Sequence, residues 1–357
     1  MTSFDTLLSP YTSQQLNLKN KVVLAPMTRC QADPEQMPSQ NMCDFYTDRS
    51  SCGLIVTEAT CISDESNAYF NTPGIYTSEQ AKAWCQIVDK VHTQGAKIFA
   101  QLWHAGMMGH SSFRQGRLPL SPSGIKPLKE LVPRLQVPYE TPHIMDMADF
   151  DLIKGYFVQA ADYAIRLGQF DGVEIHAANG YLFDSFLHYS TNKRTDRYGR
   201  NLEGMSRFLL EVIEAVAQKV GGFSKVGIRL SPVPPPNMES LLETSEDQNV
   251  YAYLLNKLSE LSLAYVHLSS DDDDKTRGFL PVKSSEFLRK YYQGTLIVGG
   301  NYSLEHAEQT LTSQQADLIY FGKKILANPD FVDKLNEETA SQLTPFSPAM
   351  IASPPRL

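Results

Sequence analysis

Three polar side chains of the kinds that activate a carbonyl group, His176, Asn179 and Tyr181, fall within six residues of one another. They follow the short apolar run Gly172-Val173-Glu174-Ile175, which reads as a buried strand, so they are delivered where that strand runs out. In barrel enzymes that is where the chemistry sits. An imidazole and an amide can hold an oxygen by two hydrogen bonds while a phenol supplies a proton. A lone histidine or tyrosine at a strand end is more often a satisfied structural residue. The grouping is what points to function.

Positioning such a cluster takes a scaffold, and the rest of the chain predicts one. Apolar runs with β-branched character recur at Lys21 to Pro26, Gly53 to Glu58, Lys97 to Leu102, Gly172 to Ile175, Val226 to Leu230, Tyr265 to Leu268, Thr295 to Val298 and Leu318 to Phe321. Several are too continuously hydrophobic to have a wet face, as expected of a parallel sheet covered on both sides. Helix-period segments lie between them, at Ser78 to Thr93, Asp149 to Leu167, Asn201 to Val220, Asn249 to Leu261, Ser303 to Leu311 and Asn328 to Leu335. This alternation predicts an α/β fold, a single (β/α)8 TIM barrel.

The barrel is expected over residues 1–338, with residues 1–20 as a small cap at the end away from the site. Residues 339–357, polar and proline-rich, are expected to form a C-terminal tail. Between the third strand and the helix near Asp149, six prolines (Pro119, Pro122, Pro127, Pro133, Pro138, Pro142) and no helical period predict a long excursion over the barrel mouth.

Other strand ends add to the site. Thr28 follows the first strand, Gln101 lies in the third, and Arg229, which cannot be buried without an anionic or polar partner, lies in the fifth. The seventh strand ends in Gly299-Gly300-Asn301 and the eighth in Phe321-Gly322-Lys323. Barrels often bind phosphate with those two loops, where glycine lets backbone N–H groups approach an anion. A phosphorylated cofactor is therefore expected.

With 32 Lys+Arg against 40 Asp+Glu the net charge is -8, and no basic stripe with interleaved aromatics appears. Small molecules rather than nucleic acid are the expected partners. Met1 to Pro10 lacks a basic segment followed by a long apolar core, and no apolar run approaches membrane-spanning length, so no membrane association and a cytoplasmic location are expected. Five cysteines, an odd number without a C-x-x-C pair, read as reduced thiols.

The motifs, taken together, resemble the Old Yellow Enzyme family of FMN-dependent NADH:flavin oxidoreductases and ene-reductases, in its threonine-containing branch. The matching pieces are Leu24-Ala25-Pro26-Met27-Thr28-Arg29, Val56-Thr57-Glu58-Ala59-Thr60, Ala100-Gln101-Leu102-Trp103-His104-Ala105-Gly106, His176 to Leu187, Arg194-Thr195-Asp196-Arg197-Tyr198-Gly199, and Phe321-Gly322-Lys323 followed by Ala327-Asn328-Pro329-Asp330.

The resemblance implies FMN, with NADPH or NADH as reductant. Pro26, Met27 and Thr28 would lie along the flavin ring, with the Thr28 hydroxyl on the flavin O4. Ala59 would allow close approach, Gln101 would bond the pyrimidine edge, and Arg229 would sit near N1 and O2. Gly299, Gly300, Asn301, Phe321, Gly322 and Lys323 would surround the phosphate end. His176, which would also border the flavin, and Asn179 would hold the carbonyl oxygen of an enone or other activated alkene, or of a phenolic ligand. Tyr181 would protonate the α-carbon, and Trp103 would wall the substrate pocket. Ping-pong kinetics, no metal, and a monomer or homodimer are expected.

Three positions depart from the family pattern: Lys323 where arginine is common, so that a point charge replaces a fork; Met107 where many relatives have arginine; and Arg200 where a second glycine is usual. Two other readings compete. One is a flavin-binding barrel with a regulatory or non-alkene ligand; the other is a metal-dependent barrel hydrolase using His104, His176 and Asp184. Asp271-Asp272-Asp273-Asp274 is expected to be a solvated loop, and could border the active-site mouth and discourage anions. Arg114 or Arg117 could clamp the extra phosphate of NADPH.

Overall fold

Eight parallel strands close on themselves in the computed structural model, which describes residues 4–133, 135–233, 244–276, 278, 280–335 and 339–357. They are β1 (Val22–Leu24), β2 (Leu54–Val56), β3 (Lys97–Trp103), β4 (Gly172–Ala177), β5 (Val226–Leu230), β6 (Tyr265–Leu268), β7 (Leu296–Val298) and β8 (Leu318–Phe321). Each bonds to the next in sequence order, and β8 returns to β1. The expected barrel is present.

The two-residue period of a strand divides its side chains between two cores. Outward residues such as Ile55, Ile98, Ile175, Ile228, Val266 and Val298 pack against the surrounding helices. Inward residues Val23, Leu54, Val56, Phe99, Tyr265, Ile297, Leu318 and Tyr320 fill the lower barrel, together with Leu16 and Leu18 from the N-terminal segment. That segment forms a two-stranded ribbon, Tyr11–Thr12 with Asn17–Leu18, and so caps the barrel as expected. Higher on the same inward faces come Gln101, Glu174, His176, Arg229 and His267, all buried. The interior thus changes from apolar to polar toward the C-terminal end of the strands.

Besides a single helical turn at Asp5–Leu8, the helices among the described residues are α1 (Gln40–Thr47), α2 (Ser78–Thr93), α3 (Met147–Arg166), α4 (Leu182–Leu187), α5 (Leu202–Val220), α6 (Asp247–Ser259), α7 (Ser284–Tyr291), α8 (Leu304–Thr312) and α9 (Lys323–Ala327). Their ends follow local chemistry. A Thr77–Gln80 capping box starts α2, Asp146 and Asp149 do the same for α3, and α5 runs from an Asn201 cap to Gly221 at φ 91°. Along α5, Met205, Phe208, Leu209, Val212, Ile213 and Val216 repeat at helical spacing and are buried. Each large apolar side chain contributes about 1.5–3 kcal/mol.

Two helical expectations change. No helix forms over Asn328 to Leu335; the helix there is Lys323–Ala327, and Asn328 is extended at φ -136°, ψ 96°. Pro329 explains this, because the residue before a proline is pushed out of the helical region. Helices α1 and α7, absent from the expected set, are only eight residues each.

The excursion after β3 contains two short 3-10 turns and a small ribbon, Leu120–Ser121 with His143–Ile144. Its Met107, Met108, Val132 and Tyr139 share a third core with Ala59, Trp103 and Tyr181, over the mouth. The tail from Thr339 onward folds back on the barrel: Arg29 Nε donates to the Ile351 carbonyl at 3.2 Å, and Arg49 to that of Pro355 at 3.1 Å.

Candidate active site

Strand register brings the polar residues into one layer. Gln101 is paired with Glu174 across β3 and β4, and Arg229 of β5 stands in register with both His176 and His267. The Gln101 amide donates to Glu174 Oε1 at 2.7 Å, while Glu174 Oε2 lies 2.8 Å from His267 Nδ1. Burial opposes ionisation of Glu174, but His267, Arg229 and Gln101 overcome it and hold the carboxyl below its usual range. For His267, burial outweighs the upward pull of Glu174 and, with the Arg229 charge, lowers the ring's pKa.

Above this layer lies a cavity of two lobes, about 390 and 350 Å3, that share Pro26, Thr28 and Arg229 in their walls. The first lobe is lined further by Cys30, Ala59, Tyr69, Gln101, His176, Asn179 and Tyr181. The three residues of the opening cluster therefore meet in one space with Thr28, Gln101 and Arg229. His176 is buried, and its Nδ1 has no partner among the described residues. Burial, reinforced by the Arg229 charge, pushes its pKa down to about 3. At neutral pH it is a neutral ring that can donate one hydrogen bond.

Asn179 sits at φ 62° with its backbone N–H on Ser231 Oγ at 2.7 Å. Ser269 Oγ donates to its side-chain oxygen at 3.1 Å, which turns the NH2 group, a pure donor, toward the cavity. Tyr181 packs edge-on to His176 and Trp103, with ring centroids 5.0 and 5.2 Å apart, and its hydroxyl lies 3.0 Å from that of Tyr69. Burial, then the neighbouring Tyr69, raise its pKa well above the usual phenol value. It stays protonated.

Met27, Gly300, Asn301, Phe321, Gly322 and Lys323 line the second lobe, with Ser269, Ser270, Asp271 and Tyr320 among the others. Gly299 is buried outside that wall. At Gly300, φ is 131° and a Cβ would come within 2.8 Å of the Asp273 nitrogen, so only glycine fits this turn.

Other expected residues are placed differently. Trp103 is fully buried and stacks behind Tyr69, which forms the cavity wall in its stead. Arg114 is buried and paired with Glu65, which also holds Arg117, so neither is a free clamp for a phosphate. Of His104, His176 and Asp184, only His176 reaches the cavity; Asp184 accepts from Gly180 N and Tyr251 Oη behind it.

The run of four aspartates is not a wholly solvated loop. Asp273 is buried, accepting from Tyr302 Oη at 2.6 Å and Ser285 N at 3.0 Å, and Asp271 borders the Gly300–Lys323 lobe rather than that of His176. Hydrogen bonds replace the water that a carboxylate would lose. Sequence reasoning missed Glu174, His267, Tyr69 and Ser269. For the first two a signal existed: each is a titratable residue inside an apolar strand, Glu174 two positions before His176 and hence on the same face.

The residues present fit a flavin mononucleotide. The Arg229 guanidinium is buried beside Pro26 and Thr28 with Nε unpartnered, so an electron-rich ring edge would satisfy it. The glycine-built second lobe, with Lys323 and Lys324 on its wall, suits a phosphate.

Comparison with known proteins agrees. The family described as NADH:flavin oxidoreductase / NADH oxidase matches residues 6–342. The 12-oxophytodienoate reductase 1 of Oryza sativa subsp. japonica is 37% identical over 331 residues, covering 91% of this chain and 84% of that protein. Among solved structures, the old yellow enzyme homologue from Zymomonas mobilis superposes with a TM-score of 0.89 at 32% identity, covering 99% of this chain and 100% of the other. Morphinone reductase in complex with tetrahydroNAD gives 0.87 at 34% identity, covering 98% and 97%. The chain belongs to the NADH:flavin oxidoreductase / NADH oxidase family and is an FMN-dependent oxidoreductase of the Old Yellow Enzyme kind.

Proposed function

We propose that the protein uses NADPH or NADH to reduce the activated C=C bond of α,β-unsaturated carbonyls and similar electrophilic alkenes. The observation that carries this reading is the convergence of His176, Asn179 and Tyr181 on one cavity with Thr28, Gln101 and Arg229. FMN, when bound, supplies the two-electron relay between nicotinamide and alkene. Pro26, Met27, Thr28, Ala59, Gln101 and Arg229 hold its ring, and Gly300, Asn301, Phe321, Gly322 and Lys323, supported by Gly299, hold its phosphate end.

His176 and the Asn179 amide donate to the carbonyl oxygen and draw electrons from the double bond. Tyr181 gives its proton to the α-carbon. Tyr69 and, behind it, Trp103 close the wall. Because one lobe serves nicotinamide and alkene in turn, the kinetics are ping-pong. Phenols bind there through an oxygen that mimics the substrate's.

Five free cysteines suit the reducing cytoplasm. Among the described residues no helix is long and apolar enough to cross a membrane. Residues 1–338 act as the FMN-binding barrel and 339–357 as a tail, which brings Phe346 and Ile351 to the second lobe.

The test is the visible spectrum of purified protein. A flavin band bleached by NADPH and restored by 2-cyclohexenone is expected. Colourless protein that FMN cannot reconstitute contradicts the assignment, and a band that NADPH leaves intact favours a flavin-binding protein without turnover.

A further inference from the structure

A buried acid must be recharged after each turnover, and the surroundings of Tyr181 limit how. Its ring packs edge-on against His176 and Trp103, and the residue is only 5% exposed. A phenolate left there is costly unless something donates to it. The Tyr69 hydroxyl, 3.0 Å away, is so placed, and in that pair either oxygen can be the donor.

Tyr69 lines the same lobe but is partly exposed, so it joins the enclosed phenol to water. Its position is fixed: the ring stacks on Trp103 with planes 4° apart, its N–H donates to Asn67 Oδ1 at 3.0 Å, and its carbonyl accepts from Thr72 Oγ1 at 3.0 Å. When Tyr181 donates to Tyr69, its proton is withheld from the cavity, which agrees with the upward push that Tyr69 adds to burial. The reversed bond frees that proton and supports the oxygen left behind.

We infer that Tyr69 is a second proton carrier of the reaction, donating its hydroxyl proton to the Tyr181 oxygen as Tyr181 protonates the substrate carbon. The O–H bond of Tyr181 breaks as a C–H bond forms, the Tyr69 proton remakes the O–H of Tyr181, and water from the cavity mouth reprotonates Tyr69. The net input is one proton from solvent. The inference rests on the reading of Tyr181 as the acid.

The experiment follows flavin reoxidation by 2-cyclohexenone in prereduced, FMN-loaded enzyme, in mixtures of H2O and D2O. Tyr69→Phe keeps the ring on Trp103, so folding is not in question. It should slow reoxidation about tenfold, the worth of one hydrogen bond to a charged group. The rate should curve with deuterium fraction in the wild type, as for two moving protons, and become linear in Tyr69→Phe. The double variant should be no slower than Tyr181→Phe alone.

A linear wild-type plot, an unslowed Tyr69→Phe, or full slowing by Tyr69→Phe in the Tyr181→Phe background would each overturn the inference while leaving Tyr181 as the acid. If Tyr181→Phe itself reoxidises at the wild-type rate, the acid assignment falls and the inference falls with it.

Discussion

Two histidines stand at the two ends of one short segment, both fully enclosed, and their surroundings drive them in opposite directions. His176 faces a guanidinium and a cavity, and its pKa is pushed down to about 3 by burial and Arg229. For His188 burial also pushes down, but Asp184 and then Asp247 outweigh it and raise the pKa to about 10. His188 lies 2.9 Å from Asp247 and 3.4 Å from Asp184, and Tyr251 Oη, within 3.2 Å of its ring, donates to Asp184.

The lesson is that burial alone does not decide the charge of a histidine; the partners do. On the cavity side, groups are left unsatisfied for a ligand to complete. On the far side every carboxylate is engaged, and Asp184 uses its second oxygen to accept from the N–H of Gly180, between Asn179 and Tyr181. One end of the segment opens on the cavity, and the other braces it.

The largest effect that can break this contrast is on stability. Replacing His188 with Leu leaves two buried carboxylates facing each other and should cost about 3–5 kcal/mol in urea unfolding at pH 7. Because the folded pKa lies above the ordinary 6.5, the His188 contribution is complete below pH 6.5 and fades as pH rises toward about 10. The deficit of His188→Leu should therefore shrink over that window. An undiminished wild-type-like stability would mean that the cluster is no brace.

On the cavity side the effect falls on binding. His176→Ala should weaken phenol binding to the FMN-loaded enzyme by about 1–2 kcal/mol, roughly five- to thirtyfold, with far less loss of stability. Between pH 5 and 8 the imidazole should contribute no step to that affinity, since it is neutral throughout. A step near pH 6.5 that disappears in His176→Ala would show the ring to be solvated instead. The smallest effect is expected at Lys323, which is exposed. Lys323→Ala should weaken FMN binding about fivefold, roughly 1 kcal/mol, and Lys323→Arg should tighten it, as read from the fluorescence of released flavin.

The same contrast explains what the amino-acid order revealed. The barrel strands were legible because both faces of each are buried, which leaves continuous apolar runs. The cavity side was legible because His176, Asn179, Tyr181, Thr28 and Arg229 stand at strand ends or inside strands, where polar residues are conspicuous. The brace was not: Asp247 and Tyr251 lie on α6, about sixty residues from Asp184, and only folding reveals that Tyr251 donates to Asp184 while Asp247 meets the same His188 ring. Tyr69 sits in a loop without periodicity. Asp273 was misjudged because its charge is visible in sequence while the Tyr302 and Ser285 donors that permit its burial are not.

The most direct test of the division of labour separates the two half-reactions in Tyr181→Phe. Bleaching of the bound flavin by NADPH should proceed at close to the wild-type rate, while its recovery with 2-cyclohexenone should slow by about 10²-fold or more, the loss of a positioned acid. Equal loss in both half-reactions, or none in the second, would contradict the assignment of Tyr181 as the proton donor in a cavity built by His176, Asn179 and Arg229.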